Sequence, residues 1–249
     1  MKRIGILIPE SNLIVEEEIS ELLFRIRPFL NEEVKIHFGK LRFETRFKDS
    51  PNDFFNEICF DIERHLILYD RLKFSSIGFF CNSASLILNN SESQNKTRKS
   101  INDSKFHKTF FDSFTATIDF LKLNNISSID IINPYSSKVN QQVITVIEKN
   151  NDIDINSNTC INLTTSIELS NVKLEELSLL IEPIISNYSK SQLLVLLCTN
   201  FPTLDLFEQF PLSIISNNLA LFYRIISNLG VFESQTNNLL NVLIGYNEK

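Results

Sequence analysis

Short, unbroken apolar runs separated by longer stretches of helical period constrain this chain more than any other feature. A strand buried on both faces reads as continuous apolar sequence, the signature of a parallel sheet covered by helices. The clearest runs are Ile4 to Ile8, Ser76 to Phe80, Ile129 to Ile132, Leu193 to Leu197 and Leu212 to Ile215. Between them Phe55, Ile58, Ile62, Leu66, Tyr69 and Leu72 recur every three or four residues and predict a helix from about Asp53 to Leu72. Helices are likewise expected over Leu13 to Ile26, Lys108 to Leu123, Val139 to Lys149, Leu174 to Ile185 and Leu219 to Leu229. The alternation predicts an α/β protein. Asn89 to Asp103 is polar, shows neither period and reads as a surface loop, of a length that suits a lid or a passive insertion.

The marked strands suggest an internal duplication. Ile6-Leu7-Ile8-Pro9 and Ile131-Ile132-Asn133-Pro134 each end a strand with proline before a helix, and each is followed by a strand ending in cysteine. The separations are similar, 72 residues from Pro9 to Cys81 and 64 from Pro134 to Cys198. The two halves are expected to be structural copies, similar lobes with parallel sheets that face each other across a cleft and so bring the two thiols together. Residues 1–113, completed by about 217–249, would form one lobe and residues 114–216 the other.

Ligands of parallel α/β sheets bind beyond the carboxyl ends of the strands. Cys81 follows Ile77-Gly78-Phe79-Phe80, and Cys198 follows Leu194-Val195-Leu196-Leu197; both precede small polar residues able to cap a helix. A helix N-terminus stabilises a thiolate and a substrate carboxylate alike, and would depress a thiol's pKa. A lone cysteine packs as a small hydrophobe, and Cys59 and Cys160, without such settings, read as structural. Two thiols in matched settings point to chemistry.

Several segments resemble the maleate isomerase and arylmalonate decarboxylase branch of the aspartate/glutamate racemase superfamily. They are Pro9-Glu10-Ser11-Asn12 with Glu16-Glu17-Glu18, Gly78 through Ser85, and Asn133-Pro134-Tyr135 with Asn140. The longest runs from Cys198-Thr199-Asn200 through Thr203-Leu204-Asp205 to Ser216-Asn217-Asn218-Leu219. In family order, these motifs cover roughly Arg3 to Gly230. The resemblance implies two similar lobes related by pseudo-two-fold symmetry with the active site between them, and a cofactor-independent cis-trans isomerase of a small unsaturated dicarboxylate. It makes Cys81 the nucleophile and Cys198 the general acid/base. It also implies that Asn12 and Tyr135 bind carboxylate oxygens, with Asn82, Ser83 and Thr199 assisting, and Asn171 as the nearest match to a further carboxylate-binding asparagine.

Departures from the pattern bear on the substrate. Asn82 stands where many isomerases have threonine, so Cys81-Asn82-Ser83 is similar to the Cys-Asn-Thr of amino-acid racemases. Asn200 and Phe201 follow the second cysteine where glutamate-type racemases usually carry an acid/base group, and Pro202 replaces a frequent arginine. Arylmalonate decarboxylases have glycine at the first cysteine, so the presence of Cys81 argues against that activity. An amino-acid or hydantoin racemase and a non-catalytic dicarboxylate-binding protein are the alternatives.

Composition sets the remaining expectations. With 43% hydrophobic and 22% charged residues among 249, the chain is of ordinary globular type. A net charge of −6 argues against nucleic acid as partner, and the Lys96 to Lys99 cluster reads as solvated surface. No apolar stretch approaches the ~20 residues that span a bilayer. Met1-Lys2-Arg3 passes straight into a core-like run, which predicts no signal peptide and a cytoplasmic protein with reduced thiols. His37, His65 and His107 lie away from every motif, so no metal is expected. No glycine-rich phosphate loop is present, and a homodimer is the usual state of such enzymes.

Overall fold

The computed structural model describes residues 1–45, 49–90, 95–149, 153–163, 165–186, 188–189, 192–233 and 238–245. Its first half runs β1 (Lys2–Pro9), α1 (Val15–Ile26), β2 (Val34–Leu41), α2 (Pro51–Arg71), β3 (Ser76–Phe79), α3 (Asn82–Asn90), α4 (Asn95–Asp103) and β4 (Phe110–Asp112). There follow α5 (Ser113–Leu123), β5 (Ser128–Asn133), α6 (Ser137–Lys149), β6 (Asp154–Cys160), α7 (Ser166–Ser170), α8 (Leu174–Ile185) and β7 (Gln192–Leu196). The chain continues through α9 (Leu204–Gln209), β8 (Ile214–Ser216), α10 (Asn217–Leu229) and α11 (Leu239–Leu243).

Two four-stranded sheets result, with orders β2-β1-β3-β4 and β6-β5-β7-β8 and every pairing parallel. Replacing each strand of the first order by the strand four places later gives the second, so the duplication suggested by the two prolines and two cysteines is a duplication of topology. The central strands β1, β3, β5 and β7 are the continuous apolar runs. In β1, Ile4, Ile6 and Ile8 join a core that continues into the second sheet through Ile129, Ile131 and Val195. Leu7, Ile77 and Phe79 face the other way, against α2 and the buried Phe106.

The edges depart from the expectations. β6 carries a single large apolar residue, Ile155, and was not expected as a strand. Its polar side chains are satisfied by the neighbouring strand. Asp130 of β5 accepts hydrogen bonds from Ser157 Oγ and Asn156, and Asn133 donates to Asn158 at 2.9 Å. β2 does not appear among the expected strands either; its Val34, Ile36 and Phe38 alternate with exposed Lys35 and His37 and with Gly39, leaving no unbroken run.

The helix expected from Lys108 starts only at Ser113. Asp112 is extended (φ −105°, ψ 156°) and its Oδ1 accepts from Phe114 and Thr115 N–H at 3.1 and 2.9 Å, which fixes the cap and frees Phe110–Asp112 for β4. Leu212 falls outside β8, because its φ of 62° makes the turn before that strand. The expected loop Asn89 to Asp103 is largely helix. Asn95–Asp103 forms α4 with Thr97 and Ile101 buried, Arg98 donates to the Leu88 carbonyl at the end of α3, and residues 91–94 lie outside those described. With one apolar contact per turn, its polar sequence gave no stripe to read.

After β8, α10 crosses back to pack on α5, α1 and β3. Its Ile225 rests on Gly78 of β3. A Cβ built at Gly78 would stand 2.6 Å from Ile225 Cδ1 and 2.8 Å from Phe80 Cε2, so glycine admits α10 three residues before Cys81. We expect Gly78→Ala to cost about 1–3 kcal/mol in urea or thermal unfolding by overpacking this contact. Wild-type stability in that variant would contradict the packing described.

Candidate active site

Cys81 lies between β3 and α3, and Cys198 lies two residues beyond the end of β7, at equivalent places in the two sheets. Both residues are buried, at 3% and 5% exposure. The sulfurs are close enough for the charge of Cys81 to raise the Cys198 thiol, and both act on the hydroxyl of Tyr135. The fold therefore brings the two thiols of the sequence reading into one cluster.

Their settings differ. Cys81 precedes α3, and its sulfur accepts from the Ser83 and Ala84 N–H groups and meets Ser83 Oγ at 3.6 Å. The helix N-terminus expected there is present. Cys198 has no such helix, because Phe201-Pro202 interrupts the chain and α9 begins only at Leu204. A turn supplies the donors instead, with Asn200 N–H at 3.3 Å from the Cys198 sulfur and Phe201 N–H also directed to it.

The expected depression of the thiol pKa is not what the site produces. Burial raises both thiols and outweighs the amide donors, and Cys198 is pushed up to about 12 by burial together with the charges of Cys81 and Glu18. The same donors that stabilise a thiolate in water cannot match what is lost when water is excluded. Both sulfurs carry protons at neutral pH.

The polar residues around them form one network. Asn12 Nδ2 donates to the carbonyl and the hydroxyl of Thr199, at 3.1 and 3.3 Å, while its Oδ1 accepts from Ile14 and Val15 N–H at the start of α1. Asn200 Oδ1 accepts from Leu13 N–H at 2.9 Å and its Nδ2 donates to the Ser166 carbonyl at 2.8 Å. These bonds tie the loop after β1 to the loop after β7 across nearly the whole sequence. Tyr135 is set by an Asx turn, since Asn133 Oδ1 accepts the Tyr135 N–H at 3.0 Å and Asn133 is itself held by Asn140 at 2.7 Å. Asn82 Nδ2 donates to Tyr135 Oη at 2.8 Å, which leaves the phenolic proton to be donated elsewhere, and among the described residues Asn82 Oδ1 is buried without a partner. Ser83 and Tyr135 are the half-buried members.

Of the residues singled out from sequence, Cys81, Asn82, Ser83, Tyr135, Cys198, Thr199 and Asn12 thus gather at the carboxyl ends of the two sheets. Asn171 does not join them. It is exposed, caps the C-terminus of α7 through its N–H to the Ile167 carbonyl, and stands two residues before the N-cap of α8, Lys173. The sequence reading gave no role to Glu18, Thr203 or Asn218, although all three stand in the motifs it quoted. Glu18 is buried and accepts from Thr203 N–H and Oγ1, Leu204 N–H and Asn218 Nδ2, and Asn218 also donates to the Thr199 carbonyl at 3.1 Å. Among the described residues no group of three or more His, Cys, Asp and Glu is arranged to hold a metal ion, and no helix is long and apolar enough to cross a membrane.

Neither protein-family models nor curated proteins match the chain. Solved structures do. A cysteine-to-alanine variant of the maleate isomerase Iso from Pseudomonas putida S16, with maleate, superposes with a TM-score of 0.76 at 17% identity over 92% of both chains. A Nocardia farcinica maleate cis-trans isomerase variant carrying a covalent succinylcysteine intermediate gives 0.76 at 19% identity, over 92% of this chain and 93% of that one. Arylmalonate decarboxylase gives 0.65 at 10% identity, over 95% and 94%. At these coverages the chain has the fold shared by maleate isomerases and arylmalonate decarboxylases, the branch that its motifs resemble.

Proposed function

We propose that the protein is a cofactor-independent cis-trans isomerase of a small unsaturated dicarboxylate of the maleate type, with Cys81 and Cys198 as its catalytic pair. The observation that carries this reading is the pairing of two buried thiols, one at the end of each duplicated sheet, beside hydroxyl and amide donors suited to carboxylates. Arylmalonate decarboxylation is disfavoured by the presence of Cys81. The resemblance of Cys81-Asn82-Ser83 to racemase sequences leaves racemisation of an amino acid as the second reading, favoured by the unpartnered Asn82 Oδ1, which would accept a hydrogen bond from a substrate ammonium group.

In the isomerase reading, Cys81 first gives its proton to solvent, stays a thiolate between turnovers, and its sulfur attacks one olefinic carbon. A C–S bond forms, and the π pair moves to the neighbouring carbon, where the adjoining carboxylate delocalises it. Cys198 gives its proton to that carbon, completing a succinyl thioether. The former double bond is now single and rotates. Cys198 takes the proton back, the C–S bond breaks with its pair returning to Cys81, and the trans diacid leaves. Negative charge grows on a carboxylate as the sulfur attacks, so fixed donors in a dry site stabilise the step more than the ground state. The Tyr135 phenolic proton, the Ser83 hydroxyl and the Thr199 hydroxyl supply such donors. Asn12 can join them by giving up its longer bond, the one at 3.3 Å to Thr199 Oγ1.

We expect loss of the cis-diacid absorbance on incubation with maleate. Cys81→Ala should abolish it, and Cys198→Ala should slow it by about 10²–10⁴-fold, the range of a proton-transfer catalyst. Turnover by Cys81→Ala at the wild-type rate, or deuterium exchange into an amino acid without any diacid turnover, would overturn the isomerase reading.

The pH dependence has a definite sign. Both thiols lie above their ordinary range in the folded protein, so the Cys81 thiolate fraction grows with pH through neutrality. The initial rate should rise by about tenfold per pH unit from pH 6 to pH 8, the slope of thiolate formation. A flat or falling profile over that interval, read in initial-rate assays, would show that Cys81 already attacks as a standing thiolate.

A further inference from the structure

Glu18 is a buried carboxylate that the proposed reaction leaves unused. It lies on the inner face of α1 at 4% exposure, yet among the described residues no ion pair reaches it. Its partners are hydrogen-bond donors from two other elements. Oε1 accepts from Thr203 N–H, from Thr203 Oγ1 at 2.9 Å and from Leu204 N–H at 3.2 Å, and Oε2 accepts from Asn218 Nδ2 at 2.6 Å. Burial raises the Glu18 carboxyl, and the donors from Asn218, Thr203 and Leu204 oppose that rise; three of the four are N–H groups, which favour the ionised form. Thr203 is the N-cap residue of α9, but its hydroxyl serves Glu18 instead of its own helix, and Glu18 caps that helix from across the lobe boundary. Asn218 then passes the constraint on, because the same Nδ2 donates to the Thr199 carbonyl, one residue from Cys198.

We propose that Glu18 assigns the roles of the two cysteines: its carboxylate, locked against both ends of the Cys198 loop, holds the proton on Cys198 and leaves Cys81 as the sulfur that is freed to attack. The inference rests on the isomerase reading for the meaning of those roles, and on geometry for the asymmetry itself. The duplicated sheets make the two thiols equivalent in backbone position, and something must distinguish them. Cys81 receives donors from Ser83 N–H, Ala84 N–H and Ser83 Oγ and is not reached by Glu18. Cys198 receives two backbone donors and feels the negative charge of Glu18, which raises its thiol.

The other titratable groups facing this region do not offset that charge. Tyr135 and Cys81 are the remaining neighbours of Cys198. Lys40 of β2 pairs with Glu16, Arg25 of α1 pairs with Glu21 and with Glu208 of α9, and Arg224 of α10 pairs with Asp119 of α5. Glu17 and Asp205 are exposed. Burial raises the carboxyl of Glu18 and both thiols alike, and of the two sulfurs it is Cys198 that meets the Glu18 charge.

Site-resolved alkylation with iodoacetamide, read by peptide mass spectrometry across a pH series, tests the assignment on the intact chain. We expect Glu18→Gln to lower the alkylation midpoint of Cys198 by about one pH unit, as removal of a nearby like charge does, and to leave that of Cys81 in place. Glu18→Asp, which keeps the charge, should retain the wild-type order even where it lowers the melting temperature. A folded Glu18→Gln with an unmoved Cys198 midpoint would overturn the proposal and reduce Glu18 to a brace. Should Glu18→Gln fail to fold, the wild-type series decides: Cys198 must titrate above Cys81, and the reverse order or a coincidence of the two overturns it. The titration needs no turnover, so a chain that leaves maleate untouched can still show the shift, and one that isomerises maleate can fail to show it.

Discussion

The structure depends on a buried polar clasp between its two halves. Asn12, at the end of β1, and Asn218, at the start of α10, both donate to the single carbonyl of Thr199, and Glu18 holds Asn218 from the other side. Each such bond contributes only about 1 kcal/mol net, but a buried member left without its partner costs more than the bond supplied. The clasp therefore acts as a unit. It sets the loop carrying Cys198 against the half of the molecule that carries Cys81, which two sheets joined by apolar contact alone would not fix to within a hydrogen-bond length.

The second constraint is the opposition between burial and donors at the sulfurs. A water-poor site strengthens every dipole that meets a growing negative charge, yet it also keeps each thiol protonated in the resting protein. The geometry gives the two sulfurs different surroundings. Cys81 takes its donors from the first turn of α3, whereas Cys198 takes fewer from a turn stopped by Pro202 and lies within reach of the charge on Glu18. Two equivalent positions in a duplicated fold thereby acquire unequal surroundings, as the proposed division into one nucleophile and one proton carrier requires.

Much of this was legible in the sequence, for stated physical reasons. The four central strands are buried on both faces and so read as apolar runs, and the prolines and cysteines at their ends marked the duplication that the strand orders display. What escaped was satisfied locally rather than by burial. β6 is polar because Asp130 and Asn133 pair its side chains, α4 buries only Thr97 and Ile101 among its described side chains, and the start of α5 is fixed by the Asp112 cap rather than by periodicity. At the site, the motifs carried the cysteines, Tyr135 and Asn12 to one place, whereas Asn171 was chosen from its position before a helix and stands exposed at the end of another. Glu18 was visible only as one of three consecutive glutamates. Which of them turns inward depends on the phase of α1, and its partners lie about 200 residues further along.

The central claim is that Cys81 and Cys198 share one substrate. Incubating Cys198→Ser with maleate, trapping by rapid denaturation and mapping the adduct by peptide mass spectrometry tests it most directly. With proton delivery crippled but the nucleophile intact, a succinyl group should be found on the peptide containing Cys81 and be missing when Cys81 is also replaced by alanine. An adduct confined to Cys59 or Cys160, or none on any thiol while maleate binds, would contradict the account.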